Sequence, residues 1–110
     1  MVFLPECFDF VARSKEESIS IKLNEDGDFI ARFRELARTN GLWLALGGFH
    51  NVTKEGALPQ NTYLVLDDRG ETRASYKKLH LFDLELPGKV RLIESETYSR
   101  GEEVCIIGFK

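Results

Sequence analysis

Between Asp28 and Asn40 the apolar side chains fall at Phe29, Ile30, Phe33, Leu36 and Ala37, with Arg32, Arg34, Glu35 and Arg38 between them. That is the i, i+1, i+4, i+7, i+8 spacing of a single helical stripe with a wet opposite side. The spacing predicts a helix with Asp28 as its N-cap and Asn40-Gly41 as a left-handed stop. Directly afterwards Leu42-Trp43-Leu44-Ala45-Leu46 forms a continuous apolar run closed by Gly47-Gly48, the pattern of a strand buried on both faces. Thr62 to Leu66 and Thr72 to Tyr76 predict the arms of a hairpin, with the turn-rich stretch Asp67-Asp68-Arg69-Gly70-Glu71 between them. Gly56 to Pro59 reads as surface loop.

The two ends carry a different message. Val2-Phe3-Leu4 reads as the last part of a buried strand stopped by Pro5, which lacks the ladder donor. Val104-Cys105-Ile106-Ile107 reads as another strand, with Cys105 buried and structural. Ser14-Lys15-Glu16-Glu17 has capping-box form. The alternation of Ile19, Ile21 and Leu23 against Ser18, Ser20 and Lys22 fits a strand as well as a helix, and both readings stay open. Open strands at both termini would leave unpaired edges and uncovered apolar faces. The pattern therefore predicts an α/β fold incomplete at both ends, with residues 1–110 forming a piece of one larger domain.

Composition narrows the function classes. In 110 residues, 15 Lys and Arg face 18 Asp and Glu, for a net charge of −3. This removes the basic footprint of a nucleic-acid binder, so no nucleic-acid partner is expected. No apolar run approaches the ~20 residues of a membrane span, and no membrane partner is expected. Met1 to Glu6 lacks the basic start of a secretory signal and meets an acid at once, which makes a cytoplasmic location the expectation. Two cysteines give no disulfide framework. Cys7, His50, His80 and Cys105 lack metal-ligand spacing, so neither metal nor cofactor is expected. Asn51-Val52-Thr53 fits a glycosylation sequon, which without secretion is a chance match.

Two positions could carry chemistry. Glu6 follows a strand and a proline, where open α/β sheets place ligands, and Phe8 and Phe10 would desolvate it and raise its pKa toward that of a useful base. The plain alternative is a surface acid beside a helix start. On a strand running out from Ala74, Lys77 and Lys78 point to opposite faces, so one can enter a dry pocket and face a developing oxyanion. Read alone, two such lysines describe a solvated strand end.

The combination changes this balance. Leu4-Pro5-Glu6-x-Phe8-Asp9, Leu46-Gly47-Gly48-Phe49-His50, Asn61-Thr62-x-Leu64-Val65-Leu66-Asp67 and Tyr76-Lys77-Lys78-Leu79-His80-Leu81-Phe82-Asp83 occur in that order. The chain resembles the nitrilase (carbon–nitrogen hydrolase) superfamily, and within it the Nit branch, from about Val2 to Gly101. The resemblance implies part of an α-β-β-α sandwich, one sheet with its helices. It implies hydrolysis of a small carboxamide, such as deaminated glutathione, to carboxylate and ammonia, with omega-amidase specificity as an alternative. It also implies a full-length parent that assembles into homo-oligomers. Glu6 would be the general base, Lys78 the oxyanion partner, and Glu94 in Arg91-Leu92-Ile93-Glu94-Ser95 the supporting acid.

The family's third catalytic group is a cysteine in an Ile-Cys-Tyr-Asp elbow. No such elbow occurs here: Cys105 lacks the following Tyr-Asp and lies too soon after Lys78. Cys7 adjoins the glutamate, but alternation on extended backbone would turn it away from the face Glu6 uses. The 110-residue chain alone is accordingly expected to be inactive. The competing reading is a truncated relative that serves as a binding or interaction protein.

Overall fold

The computed structural model describes residues 1–109. The elements run β1 (Val2–Leu4), α1 (Lys15–Ser20), α2 (Asp28–Asn40), β2 (Leu44–Asn51), β3 (Gln60–Leu66), β4 (Thr72–Lys77), β5 (Asp83–Leu86) and β6 (Val90–Ile93), then a 3-10 turn at Glu94–Glu96. One sheet has the order β1-β2-β3-β4, with β1 parallel to β2 and the remaining pairs antiparallel. β5 and β6 form a separate antiparallel ribbon. This mixed α/β architecture is the one the sequence pattern implies.

The apolar stripe of α2 lies on the sheet. Ile30 and Ala37 are fully buried against Leu44, Leu46, Phe49, Leu64 and Leu66. Phe8, Phe29 and Phe33 extend that core, with the Phe8 ring 5.4 Å from Phe33 and 6.2 Å from Phe49 in edge contacts. The helix begins one residue earlier than its sequence cue: Gly27 is the N-cap and Asp28 the first helical residue, where its charge still meets the helix's positive end. It ends as expected at Gly41, in the left-handed conformation at φ 59. Leu36 lies outside the contact zone and is exposed. Arg34, expected on the wet side, instead bonds to the Gly70 and Glu25 carbonyls and the Thr72 hydroxyl, tying the helix to the β3–β4 turn.

Four expectations are corrected by tertiary contacts. β2 does not stop at Gly47-Gly48 but runs through them to Asn51, with a register shift between Leu46 and Phe49. A Cβ on Gly47 would lie 2.3 Å from the Leu4 carbonyl oxygen, and one on Gly48 2.0 Å from Asn61 Oδ1. The glycines therefore admit close neighbours instead of ending the strand. β1 is an edge strand, and Val2 and Phe3 are exposed, not buried. Residues 104–107 form no strand, because no neighbouring strand among the described residues offers ladder partners. Val104 and Ile106 are exposed, and so is Cys105, against the expectation of a buried structural thiol.

The open segment after Ser14 resolves into both alternatives in turn. Ser14 caps α1 by accepting from the Glu17 N–H at 3.1 Å, and Leu23 then makes an isolated parallel bridge to Asn51. The β5–β6 ribbon was not expected. Its sequence cue is Pro87-Gly88, a turn-forming pair flanked by Leu84, Leu86, Val90 and Leu92, and the Lys89 N–H closes the turn on the Leu86 carbonyl at 3.0 Å.

Candidate active site

Three segments from distant parts of the chain meet at the end of the four-stranded sheet. The first is the turn after β1, which carries Glu6. The second is Lys78, one residue past β4, whose N–H donates to the Asn61 carbonyl and whose carbonyl accepts from Gly101, both at 2.9 Å. The third is the turn after β6, which carries Glu94. Its N–H donates to the Phe82 carbonyl at 3.2 Å, and its carboxylate accepts from the Phe82 N–H at 2.5 Å. The backbone on both sides of the lysine is thus bonded, and its ammonium is aimed by the fold.

The ammonium reaches both acids. Lys78 Nζ lies 2.9 Å from Glu6 Oε1 and 3.1 Å from the Glu94 carboxylate. The structure brings together all three residues nominated from the sequence. A fourth, which sequence reasoning missed, is Asn61: its Nδ2 donates to the same Glu6 oxygen at 2.5 Å. Its cue was present in Asn61, an amide just ahead of the apolar run Leu64-Val65-Leu66 of the same strand. Lys77, pointing the other way, lies by Ser75 and 3.9 Å from Glu25.

The electrostatics reverse one expectation. The hydrogen bond from Lys78 holds the Glu6 carboxyl below its ordinary value; partial burial opposes this, and the Asn61 amide and the lysine charge reinforce it. Phe8, assigned to desolvating Glu6, is instead part of the core, and the Glu6 side chain is 56% exposed. The pocket is accordingly not dry on that side. Burial pushes the Lys78 ammonium down, but its bonds to Glu6 and Glu94 outweigh burial and the net shift is upward. At neutral pH the cluster is therefore a carboxylate on a cation, an ionised base beside a fixed positive charge.

Glu6, Lys78 and Glu94 line an open cleft of about 700 Å³, with Cys7, His50, Phe10, Val11 and Tyr98 among its other residues. Across its mouth Lys15 of α1 and Arg91 of β6 both bond Glu96, whose carboxyl is drawn down to about 2 by Arg91 first and Lys15 second. Cys7 does not face away from Glu6. Its φ is 57, so the alternation of extended backbone does not apply, and its side chain lines the same cleft. Burial, followed by the charge of Glu6, pushes its thiol above the usual range, opposite to the shift an activated nucleophile needs.

Among the described residues no group of three or more His, Cys, Asp or Glu side chains is placed to hold a metal ion, and no helix is long and apolar enough to cross a membrane.

Comparison with known proteins places these features. The family model described as carbon-nitrogen hydrolase matches residues 1–109. The nitrilase and fragile histidine triad fusion protein NitFhit of Caenorhabditis elegans is 52% identical over 105 residues, a match covering 94% of this chain and 24% of that protein. Its crystal structure superposes with a TM-score of 0.78 over 92% of this chain and 25% of that one. The deaminated glutathione amidase of Rattus norvegicus is 41% identical over 98 residues, covering 86% of this chain and 30% of that protein. A carbon-nitrogen hydrolase structure from Helicobacter pylori G27 shares the fold at TM-score 0.67 and 17% identity, covering 91% of this chain and 32% of that one. The chain thus spans between a fifth and two fifths of the length of the curated relatives it matches.

Proposed function

The chain belongs to the carbon–nitrogen hydrolase family, and from that premise we propose that its residues serve hydrolysis of a small carboxamide to carboxylate and ammonia. Glu6 is the general base, Lys78 the oxyanion partner and Glu94 the acid that orients the lysine. The observation that carries this reading is the single ammonium 2.9 Å from Glu6 and 3.1 Å from Glu94. Splitting an unactivated amide requires a nucleophile, a proton acceptor and a charge where the tetrahedral oxyanion develops. On this reading Glu6 and Lys78 supply two of those three.

Their protonation states suit the roles. A Glu6 carboxyl held below its ordinary value is ionised at neutral pH, the form that can accept a proton from an attacking thiol, although the lowered pKa makes it a weaker base than a raised one would be. Lys78, raised, keeps its charge throughout the same range. The bond to Glu94 holds the lysine side chain in place, so that little reorganisation is needed when charge appears on the substrate oxygen. The nucleophile that the family resemblance implies is the cysteine of an Ile-Cys-Tyr-Asp elbow, a sequence these 110 residues do not contain. Neither Cys105, exposed on an irregular segment, nor Cys7, with its raised pKa, replaces it. The chain alone therefore hydrolyses no amide. A deaminated glutathione-type substrate is the reading supported by the similarity to the rat amidase.

The test is a chimera in which this chain replaces its matching segment of the rat deaminated glutathione amidase, assayed for ammonia release from deaminated glutathione. The chimera is expected to be active. Glu6→Gln should reduce turnover by roughly 10²–10⁴ and Lys78→Ala by about 10²–10³ or more. A folded, active chimera whose rate is unchanged by either substitution sinks the assignment.

A further inference from the structure

His50 is 1% exposed, and every polar group of its ring is engaged. Its Nδ1 and its own backbone N–H both meet Asp9 Oδ2, at 2.7 and 3.0 Å. Its Nε2 lies 2.8 Å from Ser18 Oγ and 2.6 Å from Tyr98 Oη. A carboxylate only accepts, so the hydrogen sits on Nδ1 and Nε2 is left facing the two hydroxyls.

Each partner belongs to a different segment of the chain. Asp9 lies on the segment that carries Glu6, and between them the Cys7 N–H donates to the Gly48 carbonyl of β2 at 2.7 Å. Ser18 belongs to α1. Tyr98 closes the turn that begins at Glu94, its N–H donating to the Glu94 carbonyl at 2.9 Å. Through one imidazole on β2, the Glu6 segment and the Glu94 turn are therefore fastened to the same point of the sheet.

The Asp–His–Ser order is that of an acyl-transfer triad, but the surroundings do not suit a nucleophile. Ser18 is 5% exposed, its N–H is already bonded to the Ser14 carbonyl at 3.1 Å, and Tyr98 shares the ring nitrogen the serine would need. The hydroxyls act as anchors.

We propose that His50, oriented by Asp9, is a positioning residue that sets the spacing of Glu6 and Glu94 and so keeps both carboxylates on Lys78. Its importance for catalysis rests on the amidase reading above; its geometric role does not. The two ring nitrogens can be tested separately. In His50→Asn the side-chain amide reaches the Nδ1 position and keeps the Asp9 bond, while in His50→Gln it reaches the Nε2 position and keeps the hydroxyls.

The experiment is an NMR titration of the isotope-labelled 110-residue chain, following the Glu6 carboxyl carbon and the Lys78 ammonium nitrogen. His50→Gln should move the Glu6 midpoint up by about half a pH unit or more. His50→Asn and Tyr98→Phe, which release the Glu94 turn, should move the Lys78 midpoint down by a similar amount. If the variants fold and both midpoints stay at wild-type values, whatever happens to the melting temperature, His50 merely fills the core and the proposal is overturned. If the histidine variants do not fold, Tyr98→Phe, which keeps the ring, decides by the same criterion. These titrations contain no substrate, so intact spacing with an inactive chimera would count against the amidase reading alone.

Discussion

Asn61 donates to Oε1 of Glu6 at 2.5 Å, and that same oxygen accepts from Lys78 at 2.9 Å. Both donors come from the β3–β4 pair, where the Lys78 N–H is itself bonded to the Asn61 carbonyl. The strand register thus delivers an amide and an ammonium to one carboxylate oxygen. Replacing Asn61 with Ala should raise the Glu6 titration midpoint toward the ordinary glutamate value, since that amide is one of the groups holding it down. Carboxyl-carbon NMR reads this directly, and an unmoved midpoint would remove Asn61 from the site.

Gly48 is the neighbour that makes the approach of Asn61 possible. A methyl group there would lie 2.0 Å from Asn61 Oδ1 and 3.2 Å from Glu6 Cγ. Gly48→Ala should therefore cost about 1–3 kcal/mol in overpacking strain and displace the Asn61 amide, raising the Glu6 midpoint as Asn61→Ala does. Chemical denaturation with the same titration checks both parts. Normal stability with a normal midpoint would mean that strand β2 has slack at this position.

The signs of the shifts define the pH profile of stability. Burial pushes the Asp9 carboxyl up, but its side-chain and backbone hydrogen bonds from His50 outweigh burial, and Asp9, like Glu6, titrates below its ordinary value. Groups depressed in the folded state stabilise above their unfolded pKa, and that contribution is lost as pH falls through the folded value. Lys78 is raised, so its contribution is complete below the ordinary lysine range and is lost as pH climbs through the higher folded value. The unfolding midpoint should be flat near neutrality, fall below roughly pH 4 and fall again above about pH 10. Asp9→Asn should weaken the acid limb, and an acid limb identical to wild type would contradict the Asp9–His50 account.

Cys7 offers two readouts. At φ 57 a non-glycine residue is strained by about 1–2 kcal/mol, so Cys7→Gly should be tolerated and Cys7→Val should destabilise clearly, β-branching adding to the penalty. Thermal melts of the two variants separate them, and equal melting temperatures would show that the turn relaxes. In wild-type protein, timed iodoacetamide labelling followed by mass spectrometry should modify exposed Cys105 before half-buried Cys7, whose thiol is pushed up. Labelling in the reverse order would indicate an activated thiol beside Glu6.

Elements with strong local patterning were legible from residue order. The α2 stripe, the β2 run and the β3–β4 hairpin each state a backbone period within a dozen residues, and Gly41 states a stop. Less legible were features whose cause lies elsewhere in the chain. Val104 to Ile107 has the composition of a strand, but a strand is defined by its neighbour. Phe8 looked like a desolvating lid for Glu6 but found better contacts with Phe29, Phe33 and Phe49.

Residue order was enough to nominate Glu6, Lys78 and Glu94 through the family resemblance that their motifs carry, and to show that these residues hold no Ile-Cys-Tyr-Asp elbow, because motifs are local facts. Their meeting was decided only by the folded chain. Glu6 and Lys78 are 72 positions apart, and their contact depends on β1 lying parallel to β2, on a register shift at two glycines and on where β4 ends. The direction of the Glu6 shift, the inward turn of Cys7 and the fastening by His50 likewise come from packing. Hydrophobic periodicity encodes which way a backbone winds; distances between side chains on different elements, and hence their charges, are set by long-range contacts that no single stretch of sequence contains.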